Sequence, residues 1–155
     1  MNPDGLAADD RSMSSLLART VKAGVTYFAL TFGAGFVLGS IRVPFLVPRL
    51  GERAAELIEM PFMFVVIVLA ARFITRRFSL PADALPRLGA GFLALGLLVA
   101  AEVVLALSLQ DRTLAEYVAS RDPVSGSVYL AMLALFAVMP LVIARLAGSC
   151  TAPGT

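Results

Sequence analysis

Four long apolar stretches, separated by clusters of charge, constrain this chain more than any motif does. The first runs from Ala23 to Ile41, and its 19 residues would form a helix about 28 Å long, close to the roughly 30 Å hydrocarbon core of a bilayer. The stretches are continuous and lack the alternation of apolar and polar residues that is typical of a membrane β-barrel. The sequence therefore predicts an all-α, polytopic membrane protein with four transmembrane helices in an antiparallel bundle.

The charges that bound these stretches predict the domain organisation. Residues 1–22 are expected to be a flexible N-terminal segment, residues 23–147 the transmembrane domain, and residues 148–155 a short tail. The four spans are predicted at residues 23–41, 56–75, 88–110 and 124–145. Only 12 uncharged residues separate Glu59 from Arg72, about 18 Å of helix, which is too short to cross a bilayer. Either the helix starts earlier, near Ala54, and carries Glu56 and Glu59 into the interface, or Arg72 snorkels from inside the span, and we expect both. Pro61 would then lie in the first turns of this helix.

Composition excludes several classes of function. Of the 155 residues, 59% are hydrophobic and only 15% are charged, whereas a soluble domain has about 25% charged residues. The chain has no histidine and one cysteine, which excludes histidine-bearing metal sites, a Ser-His-Asp triad and an internal disulfide. A net charge of +2 is too small to indicate nucleic-acid binding. We therefore expect no enzyme activity, no catalytic residues, no metal and no cofactor.

The distribution of basic residues predicts the orientation in the membrane. Eight lie on the side of the two termini: Arg11, Arg19, Lys22, Arg72, Arg76, Arg77, Arg87 and Arg145. Five lie on the other side: Arg42, Arg49, Arg53, Arg112 and Arg121. The positive-inside rule then predicts a multi-pass protein of the bacterial inner membrane with both termini in the cytoplasm. The first span is expected to be an uncleaved signal anchor, with Met13 as an alternative start to Met1.

Glu102 is the carboxylate that lies deep inside an apolar span. It is 8 residues from Gln110, about 12 Å of helix, and a charge at such a depth costs a few kcal/mol. One hypothesis is a proton or cation site that faces a cavity. The other is a protonated or hydrogen-bonded carboxyl that helps the helices associate. Two residues could pair with Glu102 in an intramembrane polar site. Tyr129 lies at a similar depth in the membrane and could donate a hydrogen bond, and Arg42 could extend its side chain down from the interface.

Small residues recur at helical spacing in two of the spans. Gly35 and Gly39 form a GxxxG pattern in the first span, and Gly96 and Ala100 repeat the spacing in the third. Such faces allow another helix to approach closely. They are expected to pack either within the chain or against a second copy of it.

The segment from Arg42 to Pro61 contains both charged residues and prolines. Pro44 and Pro48 are expected to break any helix there. The three arginines and three glutamates of this segment are expected to contact a partner or lipid, or to pair among themselves: Arg42, Arg49, Glu52, Arg53, Glu56 and Glu59. A second basic cluster follows the second span and is expected to bind anionic lipid headgroups or simply to set the topology: Arg72, Arg76 and Arg77.

The stretch from Ile41 to Phe78 resembles a family of small four-span bacterial inner-membrane proteins to which no activity is assigned. The residues that carry the resemblance cover about a quarter of the chain: Ile41-Arg42-Val43, Val47-Pro48-Arg49-Leu50-Gly51, Glu56-Leu57, Glu59-Met60-Pro61, Ala71-Arg72 and Arg76-Arg77-Phe78. The resemblance implies topology and a bacterial origin but no chemistry.

Two functions fit these features. The first is a structural or accessory subunit that packs against a larger membrane complex, which the small-residue faces and the scarcity of polar residues in the spans favour. The second is a small homo-oligomeric transporter coupled to protons or cations, which would use Glu102. Small multidrug transporters also have four short helices, but their essential acid lies in the first helix, where this chain has none. The expected partners are the lipid bilayer and either another membrane protein or a second copy.

Overall fold

The described part of the chain is built mainly from four long apolar helical segments. The computed structural model describes residues 3–81, 83–109 and 123–149, with side chains described for 12–81, 83–105, 124 and 126–146. Within these ranges the structure is helical and has no strand: α1 (Pro3–Ile41), a π-helical turn (Arg42–Leu46), α2 (Val47–Leu50), α3 (Glu52–Arg77), α4 (Ala84–Leu109) and α5 (Pro123–Ser149). Four of the helical segments are long and apolar enough to cross a membrane. The predicted all-α, multi-pass architecture is confirmed.

The N-terminal segment is helical from Pro3 onward and continues without a break into the first span. This differs from the expectation of a flexible segment at residues 1–22. Proline is well tolerated in the first turn of a helix, and the residues that follow Pro3 include several good helix formers. The first predicted span, residues 23–41, lies within the helical segment Ser12–Leu50, which is long and apolar enough to cross a membrane.

The two prolines after the first span do not end the helix, contrary to the expectation from sequence. The helix instead widens into a π-helical turn, in which the Val47 N–H donates to the carbonyl of Arg42, five residues earlier. A wider turn allows the chain to pass Pro44 without the hydrogen bond that this residue cannot donate. The helix ends at Gly51, whose φ of 78° is accessible mainly to glycine.

The helices form a ring in which α1 and α5 each contact both α3 and α4. Consecutive spans are antiparallel, because Arg42 at the end of the first span meets Glu59 near the start of α3. In the same way Arg87 near the start of α4 meets Pro140 towards the end of α5. Helix α4 therefore runs parallel to α1, its neighbour in the ring.

Two glycines allow the helices to approach closely at one end of this ring. A Cβ atom on Gly24 of α1 would lie 2.9 Å from the carbonyl oxygen of Ala90 in α4. A Cβ atom on Gly91 of α4 would overlap the backbone of Ala137 in α5. Glycine is thus required at both positions for contact between backbones. The tight packing lies near the α3–α4 connection, in the half of the bundle away from Arg42.

A proline in α5 accounts for a hydrogen bond between two helices in the core of the bundle. Pro140 has no N–H, so the carbonyl of Phe136, four residues earlier, lacks its helical donor. The buried hydroxyl of Tyr27 donates to this carbonyl at 3.1 Å. The Tyr27 and Phe136 rings also stack, with centroids 4.3 Å apart. The side chain of Tyr27 therefore supplies the hydrogen bond that the Phe136 carbonyl lacks, and it packs across the centre of the helix bundle.

Arg87 closes the same end of the bundle. Its guanidinium donates to the carbonyls of Leu80 at 2.9 Å, Pro81 at 2.6 Å and Pro140 at 3.3 Å. The first two acceptors belong to the connection between α3 and α4, and the third belongs to α5. A guanidinium has five N–H donors in a rigid plane and is suited to joining carbonyls from separate segments.

We predict that Gly91→Ala lowers the thermal stability of the purified protein in detergent, because the added methyl group overlaps Ala137. Overpacking of this kind costs about 1–3 kcal/mol. The matched control is Gly96→Ala in the same helix, where nothing lies within 4 Å of the new Cβ. An unchanged melting temperature for Gly91→Ala would contradict the close approach of α4 and α5.

We also predict that Tyr27→Phe destabilises the protein by about 1–3 kcal/mol, because it leaves the buried Phe136 carbonyl without a donor. The same substitution in a Pro140→Ala background should cost clearly less, since the alanine N–H can donate to Phe136. Unfolding measured for the four variants of this double-mutant cycle gives the coupling energy. Equal costs in both backgrounds would show that Tyr27 does not compensate for Pro140.

Candidate functional site

A cavity of about 700 Å³ lies between the spans, in the half of the bundle that contains Arg42. Its size falls within the range of roughly 300–1,000 Å³ that is typical of sites for small molecules. Its lining residues come from α1, the π-helical turn, α3, α4 and α5. The polar side chains of the lining come from these same elements: Thr31, Ser40, Arg42, Glu56, Glu59, Glu102 and Tyr129.

One face of α1 lines this cavity. Thr31, Gly35 and Gly39 recur at every fourth residue and all contribute to the lining, as does Arg42 in the π-helical turn. Residues four apart lie on the same face of a helix. Nothing lies within 4 Å of a Cβ placed on Gly39, and Gly35 meets Met63 at an ordinary distance of 3.5 Å. The two glycines therefore leave space here rather than bringing helices into contact.

Arg42 forms an ion-pair cluster with α3 at the edge of the cavity. Its guanidinium lies 3.4 Å from Glu56 and 3.0 Å from Glu59. The two glutamates are three residues apart on α3 and so share one face. Arg42 Nε and Glu59 Oε2 are both shielded from solvent, and their alignment is not that of a hydrogen bond. The contact is therefore electrostatic and leaves both atoms able to form a further hydrogen bond.

Glu102 lies deeper in the cavity and has a different partner. The hydroxyl of Tyr129 in α5 donates to its carboxylate. Both residues are partly buried, and both line the cavity. Tyr129 is one of the two partners that were proposed for Glu102 from their positions along the spans. The other, Arg42, pairs instead with Glu56 and Glu59 of α3. All three residues of the predicted intramembrane polar site nevertheless face the same cavity.

Thr31 has a buried hydroxyl with no hydrogen-bond partner among the described residues. It is 2% exposed and contributes to the cavity lining. Threonine hydroxyls elsewhere in this bundle donate to a carbonyl of their own helix, as Thr20, Thr26 and Thr75 do. An unsatisfied buried hydroxyl costs about 1–3 kcal/mol. Thr31 therefore requires a partner that the described protein atoms do not supply.

The remaining wall of the cavity is apolar and contains several methionines and aromatic rings. Phe136, the ring that stacks on Tyr27, contributes to its lining at the deep end. Sequence analysis did not identify these residues as part of a site: Phe32, Phe36, Met60, Met63, Met132 and Phe136. The four-residue spacing of Tyr27, Thr31, Gly35 and Gly39 was the signal that could have identified this face of α1.

The other residues singled out from the sequence lie away from the cavity. Arg49 and Arg53 are exposed near the α2–α3 junction. The basic cluster of Arg72, Arg76 and Arg77 lines a shallow groove on the outer surface of α3, at the opposite end of the bundle. Gly96 and Ala100 are exposed on α4, and nothing lies within 4 Å of a Cβ on Gly96. The close helix contacts within the chain are instead at Gly24 and Gly91.

The cavity is not built like a metal centre. The described residues contain no group of three or more His, Cys, Asp or Glu side chains placed to hold a metal ion. The lining of the cavity is instead that of an amphipathic binding site, with Arg42, Glu56 and Glu59 at the edge and Glu102 deeper beside an apolar wall.

Comparison with known proteins gives no relative for this chain. It matches no protein-family model, and no curated protein and no solved structure is significantly similar to it. The resemblance to small four-span bacterial membrane proteins therefore stays a prediction, and the site has to be interpreted from its own geometry.

We predict that a cysteine at position 39 reacts with a water-soluble cationic methanethiosulfonate in intact membranes, because this position opens into the cavity. The background carries Cys150→Ser, which removes the chain's one cysteine. The control is Gly33→Cys in the same helix, which lies on the outer surface and does not line the cavity. It should react much more slowly. Equal labelling rates at the two positions would contradict a cavity that is open to water.

Proposed function

We propose that the chain is a small homo-oligomeric carrier that binds an amphipathic molecule in the cavity and couples its movement to a proton at Glu102. The observation that carries the proposal is the placement of Glu102 in a cavity of about 700 Å³ rather than in a packed helix interface. A carboxyl that only helped helices to associate would need a partner but no such space. In a carrier, the carboxyl holds a proton or the substrate by turns.

The proposed location is the bacterial inner membrane with both termini in the cytoplasm. The excess of basic residues at the terminal side, eight against five, supports this orientation. The cavity would then face the outside. The Tyr27–Phe136 stack would separate it from the cytoplasmic end, where the helices pack most closely.

The transport step in this proposal is an opening of that stack. Tyr27 is joined to α5 by its hydrogen bond to the Phe136 carbonyl, next to the break that Pro140 makes in the helix. A proline inside a helix is a common site of bending. Bending of α5 at Pro140 would separate Phe136 from Tyr27 and give the cavity access to the other side.

An accessory subunit is the second candidate, and the exposed small residues of α4 favour it. Gly96 and Ala100 lie on the outer surface and would allow a neighbouring helix to approach closely. The same face would serve a homo-oligomer of the carrier. The mass of the protein purified from native membranes in mild detergent separates the two, because an accessory subunit should retain a different chain and a carrier should retain copies of itself.

We predict proton-linked flux in liposomes that contain the purified protein and have an acidic lumen. Two fluorescent amphipathic probes of opposite charge are tested separately, the cation ethidium and the anion anilinonaphthalene sulfonate. One of them should move faster than in protein-free liposomes, and only while the pH gradient is present. Glu102→Gln should lower this rate at least about tenfold, which corresponds to about 1.4 kcal/mol in the barrier.

The matched control is Glu52→Gln, which removes an exposed carboxylate that does not line the cavity. It should transport as the original chain does. If neither probe moves faster than in protein-free liposomes, or if Glu102→Gln retains the pH-dependent rate, the proposed carrier function is wrong.

A further inference from the structure

The charges around the cavity are unbalanced. Its described lining contains three carboxyl groups, those of Glu56, Glu59 and Glu102, and one guanidinium, that of Arg42. Arg42 lies within ion-pair distance of the first two. Within the described part of the chain, Glu102 accepts a hydrogen bond from the neutral hydroxyl of Tyr129. Because charges interact strongly where water is scarce, the deep half of the cavity favours a cation.

The wall of the cavity favours an organic cation over a small hydrated metal ion. Met60, Met63 and Met132 give it flexible, polarisable surfaces, and Phe32 and Phe136 add aromatic rings. Methionine adapts to apolar ligands of varied shape, and aromatic faces attract cations. An inorganic ion would lose hydration water on entering the cavity, and an apolar wall offers no polar groups to replace that water. An organic cation has apolar surface that the wall can bury.

Thr31 supplies an independent indication of a ligand. Its hydroxyl is buried and lines the cavity, and it has no partner among the described residues. It lies on the same face of α1 as Gly35 and Gly39, which leave the neighbouring space empty. A polar group of a bound molecule would satisfy it, because a hydroxyl can both donate and accept.

We propose that the substrate of this cavity is an amphipathic organic cation, bound with its charge near Glu102 and its apolar part against the methionines and phenylalanines. This inference rests on the proposed carrier function and names its substrate class. Arg42 acts in it as the internal competitor. Its guanidinium offsets part of the negative charge of Glu56 and Glu59, so it weakens the attraction of the cavity for a second cation.

The test is a binding measurement with two ions of nearly the same shape and opposite charge, tetraphenylphosphonium and tetraphenylborate. Equilibrium dialysis is carried out with the purified full-length protein in lipid nanodiscs, and empty nanodiscs give the background. Tetraphenylphosphonium should bind at least about tenfold more tightly than tetraphenylborate once that background is subtracted. Glu102→Gln should weaken the binding of the cation by a similar factor, and Glu52→Gln should leave it unchanged.

Arg42→Gln should change the affinity in the opposite direction. It removes the positive charge of the Arg42 guanidinium from the cavity and should strengthen tetraphenylphosphonium binding several-fold. Arg49→Gln is its control, because Arg49 is exposed and does not line the cavity. If Arg42→Gln does not fold, the comparison of Glu102→Gln with Glu52→Gln decides the proposal.

Equal affinity for the two ions, or cation binding that Glu102→Gln leaves unchanged, would overturn the inferred substrate class. This outcome differs from failure of the carrier function. Flux of the anionic probe alone, lost in Glu102→Gln, would overturn the cation site and keep the carrier. Charge-selective binding of tetraphenylphosphonium without proton-linked flux would overturn the carrier and keep the cation site.

Discussion

Polar groups in the hydrocarbon layer have to find their partners inside the protein, because lipid tails supply none. This constraint organises the bundle. The carbonyl that Pro140 leaves without a helical donor receives the hydroxyl of Tyr27. Arg87 donates to three carbonyls at the connected end of α3 and α4. Each of these partners joins segments that are distant in the chain, so satisfying the polar groups also fixes the arrangement of the helices.

The same constraint explains why the two halves of the bundle differ. In one half Gly24 and Gly91 bring backbones together, and polar groups are paired across the resulting close contacts. In the other half Gly35 and Gly39 leave space, and charged groups face it. Arg42 and two glutamates lie at its edge, Glu102 and Tyr129 lie deeper, and the Thr31 hydroxyl has no hydrogen-bond partner among the described residues. The open half is the one whose cavity is lined by three carboxyl groups and the guanidinium of Arg42.

Sequence reasoning was strongest where one physical effect dominates. The apolar stretches identified the four helices, since burial in lipid requires length and continuity. The isolated charge of Glu102 identified it as a group that needs a partner, and counting residues from the span end suggested Tyr129. The interleaved charges between Arg42 and Pro61 suggested pairing within that segment, and Arg42 lies within ion-pair distance of Glu56 and Glu59. Which of these charges would meet could not be read from the pattern, because it depends on how α1 passes Pro44 in a π-helical turn. The role of the glycines was also unpredictable, since spacing gives the face of a helix but not the neighbour it meets.

The most direct test of a cavity around Glu102 is an experimental structure of the protein in lipid nanodiscs, determined at a resolution that shows side chains. The account predicts an open space between the spans, with the Tyr129 hydroxyl on the Glu102 carboxylate, Arg42 between Glu56 and Glu59, and density for water or a bound molecule near Thr31. A bundle in which Phe36 and the methionines fill this space, with Glu102 buried in a contact between two helices, would contradict it.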